Sequence, residues 1–142
     1  MVLTHKNKTM KALSLKQPWA GLVVEKLKTI ETRKWKTSYR GDIIICASPT
    51  VDKKVMDYMK KEFPDLLQIS TLHERGKALG IVCLDDVVPM EEKHEPDALC
   101  GVYPGAYAWI LSNIRKYRYF HHAKGQLSLF ELDINDTDFN NQ

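Results

Sequence analysis

Short β-type segments recur along this chain between turn residues, and they restrict its possible folds more than any other feature. Six or so strands are expected from seven candidate segments: Lys11–Leu15, Thr29–Arg33, Ile43–Ala47, Lys77–Val88, Ala106–Leu111, Arg115–Phe120 and Leu127–Leu132. Ile43–Ala47 is uniformly apolar and reads as a buried central strand. Strands this short generally close into a barrel, which removes exposed edges. The sequence therefore predicts an α+β fold, a small β-barrel of about six strands with two to three flanking helices.

Two segments have the apolar spacing of amphipathic helices. Trp19–Leu27 follows Pro18, which suits a first helical turn, and Val51–Phe63 ends at Pro64. Asp65–Arg75 is ambiguous between a further helical turn and a lid. Glu91–Gly105 is predicted to be a long irregular loop, and ordered loops of that length usually have a function.

The chain has 142 residues and is expected to form one domain. We predict a flexible basic leader over residues 1–10, the folded domain over 11–132 and an acidic tail over 133–142. The longest apolar run is far too short for a membrane span, and the basic N-terminus lacks the features of a secretory signal. Three cysteines without a Cys-x-x-Cys pair predict reduced thiols, a cytoplasmic location, no metal site and no cofactor.

The small net charge of +3 hides an uneven distribution. Residues 1–41 hold ten Lys and Arg against two acids, a net charge of +8, whereas residues 42–142 have a net charge of −5. Basic segments beside a folded core often contact phosphates, and they also serve simply as solvated surface. Charge alone favours neither interpretation.

The early basic region carries three motifs that a hydrophobic core would not select. They run from Ser14 to Ala20 (Ser-Leu-Lys-Gln-Pro-Trp-Ala), from Lys28 to Trp35 (Lys-Thr-Ile-Glu-Thr-Arg-Lys-Trp), and over Arg40-Gly41. In this order they resemble the ASCH domain, a branch of the PUA-like superfamily, and later stretches resemble its closing strands. One departure is Lys26, where many members have glycine.

The resemblance implies a PUA-like β-barrel with a cleft where the first helix, the Lys-x-x-Glu-x-Arg strand and the long loop converge. It also implies RNA or single-stranded nucleic acid, or a free modified nucleoside, as the partner. A bacterial subset hydrolyses N4-acetylcytidine nucleosides. Its members carry Lys-Thr-x-Thr-x-Arg, so Glu31 here replaces the second threonine. They also use a later glutamate, for which Glu91, Glu92 and Glu95 are candidates.

Lys28, Glu31 and Arg33 form the central candidate site. Glu31 and Arg33 lie two residues apart on a strand and therefore share a face. This pair is either a structural salt bridge or a recognition element. In the second case Glu31 accepts a hydrogen bond from an exocyclic amine, and Arg33 or Lys28 donates one to a carbonyl or a phosphate. Lys28 and Glu31 are the candidate catalytic residues if the protein is an enzyme.

The remaining candidates are predicted to bind a ligand: Lys16, Gln17, Pro18, Trp19, Trp35 and Arg40. Trp35, between two lysines, has the surroundings of a base-stacking residue. Trp19 is compatible with the core as well as with stacking, and Gln17 with a helix cap as well as with a ligand contact. Arg40 is a candidate phosphate contact.

The leading functional prediction is a domain that binds RNA or a nucleobase, with a basic cleft for a pyrimidine or nucleotide. The alternative is an amidohydrolase that deacetylates N4-acetylcytidine-type nucleosides. Weaker alternatives are a ribonuclease and a protein-interaction module.

Overall fold

Six strands form one mixed sheet in the computed structural model, which describes residues 8–134. The strands are β1 (Lys8–Gln17), β2 (Ile30–Arg33), β3 (Gly41–Val51), β4 (Lys77–Pro89), β5 (Tyr107–His122) and β6 (Phe130–Ile134). Their order across the sheet is β2-β5-β4-β3-β1-β6. Only β1 and β3 are parallel neighbours, and the other pairs are antiparallel. The predicted α+β class with six strands is confirmed.

The sheet is not closed. In the described residues β2 pairs only with β5 and β6 pairs only with β1, so these two strands form the edges. The expected closure of the barrel is therefore incomplete. The two edge strands are also the shortest of the six, since β2 has four residues and β6 has five.

The helices lie beside the sheet and are shorter than predicted. They are α1 (Trp19–Val24), α2 (Lys53–Glu62) and α3 (Glu95–Ala98), with 3₁₀ turns at Leu66–Gln68, Ser70–His73 and Glu92–His94. Val51 belongs to β3, and α2 begins after Asp52, whose side chain accepts a hydrogen bond from Val55 N at 3.3 Å. This N-cap sets the start of α2. No helix among residues 8–134 has the length and apolar character needed to cross a membrane.

Helix α1 ends in a Schellman motif at the position where the sequence departs from the family pattern. Leu27 N donates to Leu22 O at 2.9 Å, and Lys26 N donates to Val23 O at 3.0 Å. Lys26 has φ 66°, in the left-handed region that favours glycine. The helix therefore stops before Leu27, which the apolar spacing had included.

The predicted strands Ala106–Leu111 and Arg115–Phe120 are one continuous strand, β5. Asn113 takes a φ of 46° without ending the strand, since asparagine tolerates this conformation better than most residues. Irregularities in the β4–β5 register absorb the distortion, and one of them lies between Leu84 and Asp86, at the bulge predicted for Asp85-Asp86.

The core lies on both faces of the sheet. Ile43 and Ile45 pack in one cluster with α1, while Ile44 and Cys46 pack in a second cluster on the other face. Alternate residues of a strand face opposite sides, so the uniformly apolar run is buried on both, as predicted. Strand β1 begins at Lys8 and β6 ends at Ile134, so both enter the segments predicted as leader and tail. Residues 1–7 and 135–142 lie outside the described residues.

Candidate functional site

A cleft of about 680 Å³ lies where the sheet fails to close. Strand β6 pairs with β1 only as far as Ala12, so within the described part of the chain the next residues of β1 have no strand on that side. The edge strand β2 lies across the gap. One side chain joins the two, since Arg33 Nη2 donates to Ser14 O at 2.9 Å. The cleft is thus built from the unpaired backbone of β1 and the edge of β2.

Lys28 is the most buried charged residue lining this cleft. It is 1% exposed, and its ammonium group donates to Ala98 O. The Nζ atom lies 4.0 Å from Glu31 Oε1 and 4.8 Å from the ring centroid of Trp19. Burial lowers the pKa of Lys28, and the nearby Glu31 carboxylate raises it by less. Lys28 is therefore a cation held in a poorly solvated site and is easier to deprotonate than a surface lysine.

Glu31 lies beside Lys28 and is 7% exposed. Its Oε1 atom accepts a hydrogen bond from Thr32 N at 2.7 Å. Among the described residues no group donates to Oε2, so this oxygen is available to a ligand. Glu31 forms its ion pair with Lys28 and none with Arg33. The simple Glu31–Arg33 salt bridge, one of the two interpretations of the motif, is not what the structure contains.

Arg33 lines the same cleft with part of its guanidinium unused. Nη2 donates to Ser14 O, but Nε is buried and has no hydrogen-bond partner. A buried unpaired donor is costly, and in native proteins such donors are usually satisfied by water or a ligand. Nη1 has no hydrogen-bond partner among the described residues, so it is the donor that Arg33 offers to a bound molecule.

The long loop after β4 supplies the wall beside β2. Ala98 O accepts from Lys28, and Cys100 and Tyr103 line the cleft. Tyr103 Oη donates to Thr32 Oγ1 at 3.1 Å. Sequence analysis did not single out Thr32, Cys100 or Tyr103. The signal that could have found the last two was the length of Glu91–Gly105, which indicated a functional loop.

The third wall combines an aromatic ring with the chain leading to α2. Trp19 is half-buried, and its indole Nε1 donates to Asp52 Oδ2 at 3.1 Å. Asp52, Ser48 and Thr50 also line the cleft, and Lys16 is exposed at its rim. Trp19 therefore belongs partly to the core and partly to the cleft, so both interpretations of it hold in part.

Four candidates from the sequence are absent from the cleft lining. Gln17 is fully buried, donates to Thr71 O and Glu74 O and accepts from Gly21 N, so its side chain ties the start of α1 to the turn Ser70–His73. Pro18 is buried next to it. Trp35 packs edge-on against Trp109 with ring centroids 4.7 Å apart. Arg40 is exposed and pairs with Asp86 at 3.3 Å.

The candidate glutamates Glu91, Glu92 and Glu95 are also absent from the lining. Glu91 and Glu92 are exposed, and Glu95 accepts a hydrogen bond from Val102 N at 2.8 Å. The acidic residue that lines the cleft in addition to Glu31 is Asp52, which precedes the predicted loop in the sequence. Of the nine basic residues that the structure describes between 8 and 41, only Lys16, Lys28 and Arg33 line it. Within residues 8–134 no cluster of three or more His, Cys, Asp or Glu could hold a metal ion.

Comparisons with known proteins agree with this architecture. The family model described as the ASCH domain matches residues 13–120. The crystal structure of ASCH from Zymomonas mobilis has a TM-score of 0.58 and 15% identity, and the alignment covers 92% of this chain and 91% of that one. A serine-to-alanine variant of that protein has a TM-score of 0.57 with 14% identity, covering 92% and 91%. A tyrosine-to-phenylalanine variant has a TM-score of 0.57 with 15% identity, covering 92% and 93%. No curated protein matches the chain.

Proposed function

This chain belongs to the ASCH domain family, and on that premise we propose that its cleft binds a nucleobase carried by RNA. One observation carries the proposal: the buried Lys28, its neighbour Glu31 and the partly unpaired Arg33 open on one cleft. The volume of about 680 Å³ lies in the range of small-molecule sites and is sufficient for a nucleotide.

The polar groups favour a base that has both an amine and a carbonyl. Glu31 Oε2 accepts no hydrogen bond from the described residues, so it can accept one from an exocyclic amine. Arg33 Nη1 has no hydrogen-bond partner among the described residues, so it can donate to a carbonyl or a phosphate. Cytosine presents an amine, a ring acceptor and a carbonyl in a row. Trp19 offers an aromatic surface to the ring, and the exposed Lys16 lies where a phosphate would leave the cleft.

Binding of short labelled RNA, followed by fluorescence anisotropy, tests the proposal. Oligocytidine is expected to bind at least fivefold more tightly than oligouridine, since one good pair of base contacts contributes about 1–3 kcal/mol of discrimination. Affinity should fall with salt, by roughly 0.7 in the log–log slope for each phosphate neutralised. No binding at low salt, or a flat salt response, would reject the proposal.

Matched variants assign the binding to the cleft. Arg33→Gln removes a charge that lines the cleft, and Arg40→Gln removes one that lies outside it. We expect Arg33→Gln to weaken binding at least tenfold and Arg40→Gln to leave it nearly unchanged. Equal losses in both variants would indicate a diffuse surface rather than this cleft.

The pKa of Lys28 favours a second candidate function, hydrolysis of N4-acylated cytidine. Burial lowers the pKa of the Lys28 amine, which lies 4.0 Å from the Glu31 carboxylate. An amine in such surroundings can carry a proton during catalysis. In this scheme Glu31 accepts a proton from water, the water oxygen bonds to the acyl carbon, and the C–N bond breaks. Lys28 protonates the departing amine, which leaves as cytidine, and acetate is the second product.

Incubation with N4-acetylcytidine, followed by chromatography, separates the two functions. If cytidine forms, Lys28→Ala should abolish its formation. Unchanged turnover in this variant would show that Lys28 has no catalytic role. If the wild-type protein binds oligocytidine but releases no cytidine, the hydrolase candidate is wrong and the binding proposal stands.

A further inference from the structure

Helix α2 has a positively charged outer face. Lys53, Lys54, Lys60 and Lys61 are all exposed, and none of them forms an ion pair with another residue of the 8–134 range. With 3.6 residues per turn they lie opposite the apolar positions of the helix. The acids of α2, Asp57 and Glu62, offset only half of this charge. Unpaired lysines along one helix face attract a polyanion.

Two exposed aromatic rings adjoin these lysines. Tyr58 is 57% exposed and Phe63 is 49% exposed. Their ring centroids lie 6.0 Å apart with an interplanar angle of 63°. Large aromatic side chains are normally buried, and exposed rings next to lysines match the surfaces on which single-stranded bases stack.

Helix α2 begins where the chain that lines the cleft ends. Ser48, Thr50 and Asp52 line the cleft, and α2 begins with the next residue, Lys53. Asp52 also caps α2 and accepts a hydrogen bond from Trp19. The helix has ten residues and is therefore about 15 Å long, with Lys53 and Lys54 at the end next to the cleft and Lys60 and Lys61 at the far end.

We propose that α2 binds the backbone of a single-stranded nucleic acid whose recognised base occupies the cleft. The lysines contact phosphates, and Tyr58 and Phe63 stack on neighbouring unpaired bases. This inference rests on the proposed function, because it extends the same ligand beyond the cleft. It adds a second contact surface, so the protein should bind a nucleic acid long enough to reach α2 more tightly than a shorter one.

The packing of α2 argues against an anionic membrane as the partner. Membrane-surface helices insert their apolar face into the bilayer. Here Met59 is buried with Leu22 and Leu72, and Val55 packs against the same cluster. The apolar face is therefore already covered by the protein, and the exposed residues of the helix are the lysines, the aromatic pair and the two acids.

The test uses two variants with the same change in charge. The α2 variant carries Gln in place of Lys54, Lys60 and Lys61. The control variant carries Gln in place of Lys26, Lys93 and Arg118, which are exposed elsewhere. Both are titrated with a labelled twelve-nucleotide single-stranded RNA and with cytidine 5′-monophosphate, which is too short to reach from the cleft along α2.

We expect the α2 variant to bind the twelve-nucleotide RNA with a log–log salt slope smaller by about 2, since each lost phosphate contact removes roughly 0.7. Its affinity for the mononucleotide should match that of the wild type, and the control variant should resemble the wild type with both ligands. Tyr58→Ser should weaken RNA binding between about fivefold and a hundredfold through lost stacking.

Three outcomes would overturn the inference. If the α2 and control variants bind the RNA equally well, α2 is not the contact surface, although the cleft proposal survives. If the wild type binds neither ligand, the proposed function itself fails. If the α2 variant differs from the wild type on phosphatidylserine-containing vesicles but not on RNA, the partner is a membrane.

Discussion

Lys28 is the residue on which the chemistry of the cleft depends. Burial lowers its pKa below the ordinary value of 10.5, while its contacts with Ala98 O and Glu31 hold it in place. In an unfolded chain the same lysine keeps its proton up to about 10.5. The two states therefore bind different numbers of protons over a window of pH, and stability must depend on pH there.

The sign follows from which state loses its proton first. Above the lowered pKa the folded protein has released the proton while the unfolded chain still holds it, so the free energy of unfolding rises with pH up to about 10.5. Below that window both states are protonated and the contribution is constant. Urea unfolding at several alkaline pH values should show this rise in the wild type relative to Lys28→Met. Parallel stability curves for the two proteins would contradict the prediction.

The three cysteines differ in environment, and their reactivity should differ accordingly. Cys46 is fully buried, and burial raises the pKa of its thiol to about 12. Cys100 lines the cleft. We expect iodoacetamide at pH 8 to modify Cys100 and to leave Cys46 unmodified in the folded protein, because the thiolate is the reactive form. Peptide mass spectrometry measures both sites. Equal labelling of Cys46 and Cys100 without denaturant would contradict the burial of Cys46.

At the scale of elements, the end of α1 contains an unfavourable residue. Lys26 occupies the left-handed position of the Schellman motif with φ 66°, a conformation that costs a residue with a Cβ atom about 1–2 kcal/mol. Lys26→Gly should therefore stabilise the protein by about 1 kcal/mol, as measured by thermal or urea unfolding. Lys26→Ala is the control, since it removes the charge but keeps the strain. If alanine stabilises as much as glycine, charge is the cause instead of backbone conformation.

At the scale of the whole molecule, one arginine links the two sides of the incomplete barrel. Arg33 of β2 donates to Ser14 O of β1 across the gap. Arg33→Met should remove this link at a cost of about 1.5–3 kcal/mol, the range for hydrogen bonds from charged groups. Hydrogen exchange followed by mass spectrometry should then show faster exchange in β2, with the central strands β3 and β4 unchanged. Arg40→Met is the matched control, and indistinguishable exchange in the two variants would count against the linking role.

Local sequence patterns predicted the architecture well where burial of apolar side chains alone decides the structure of a segment. The run Ile43–Ala47 was predicted to be a buried central strand, and it is buried on both faces of the sheet. The family motifs matched in order, and the α+β class with six strands is confirmed. Boundaries were less accurate, because the ends of α1 and α2 depend on the conformation of Lys26 and on the cap at Asp52.

The candidate site was only partly predictable. Lys28, Glu31 and Arg33 belong to one short segment, and their spacing indicated a shared location. Gln17 and Trp35 stand in similar polar and aromatic motifs, yet neither lines the cleft. Gln17 forms three hydrogen bonds with backbone groups, and Trp35 packs against Trp109. Tyr103 and Asp52 reach the cleft from distant parts of the chain.

The sequence by itself determined which segments become strands and helices, because apolar periodicity and capping residues act over a few positions. It also determined that cations, a carboxylate and an indole occur close together near the N-terminus. Only the tertiary structure decided which of them share a cleft. That choice depends on where β1 loses its partner β6 and on which loop covers β2, and both are long-range contacts that no local pattern encodes.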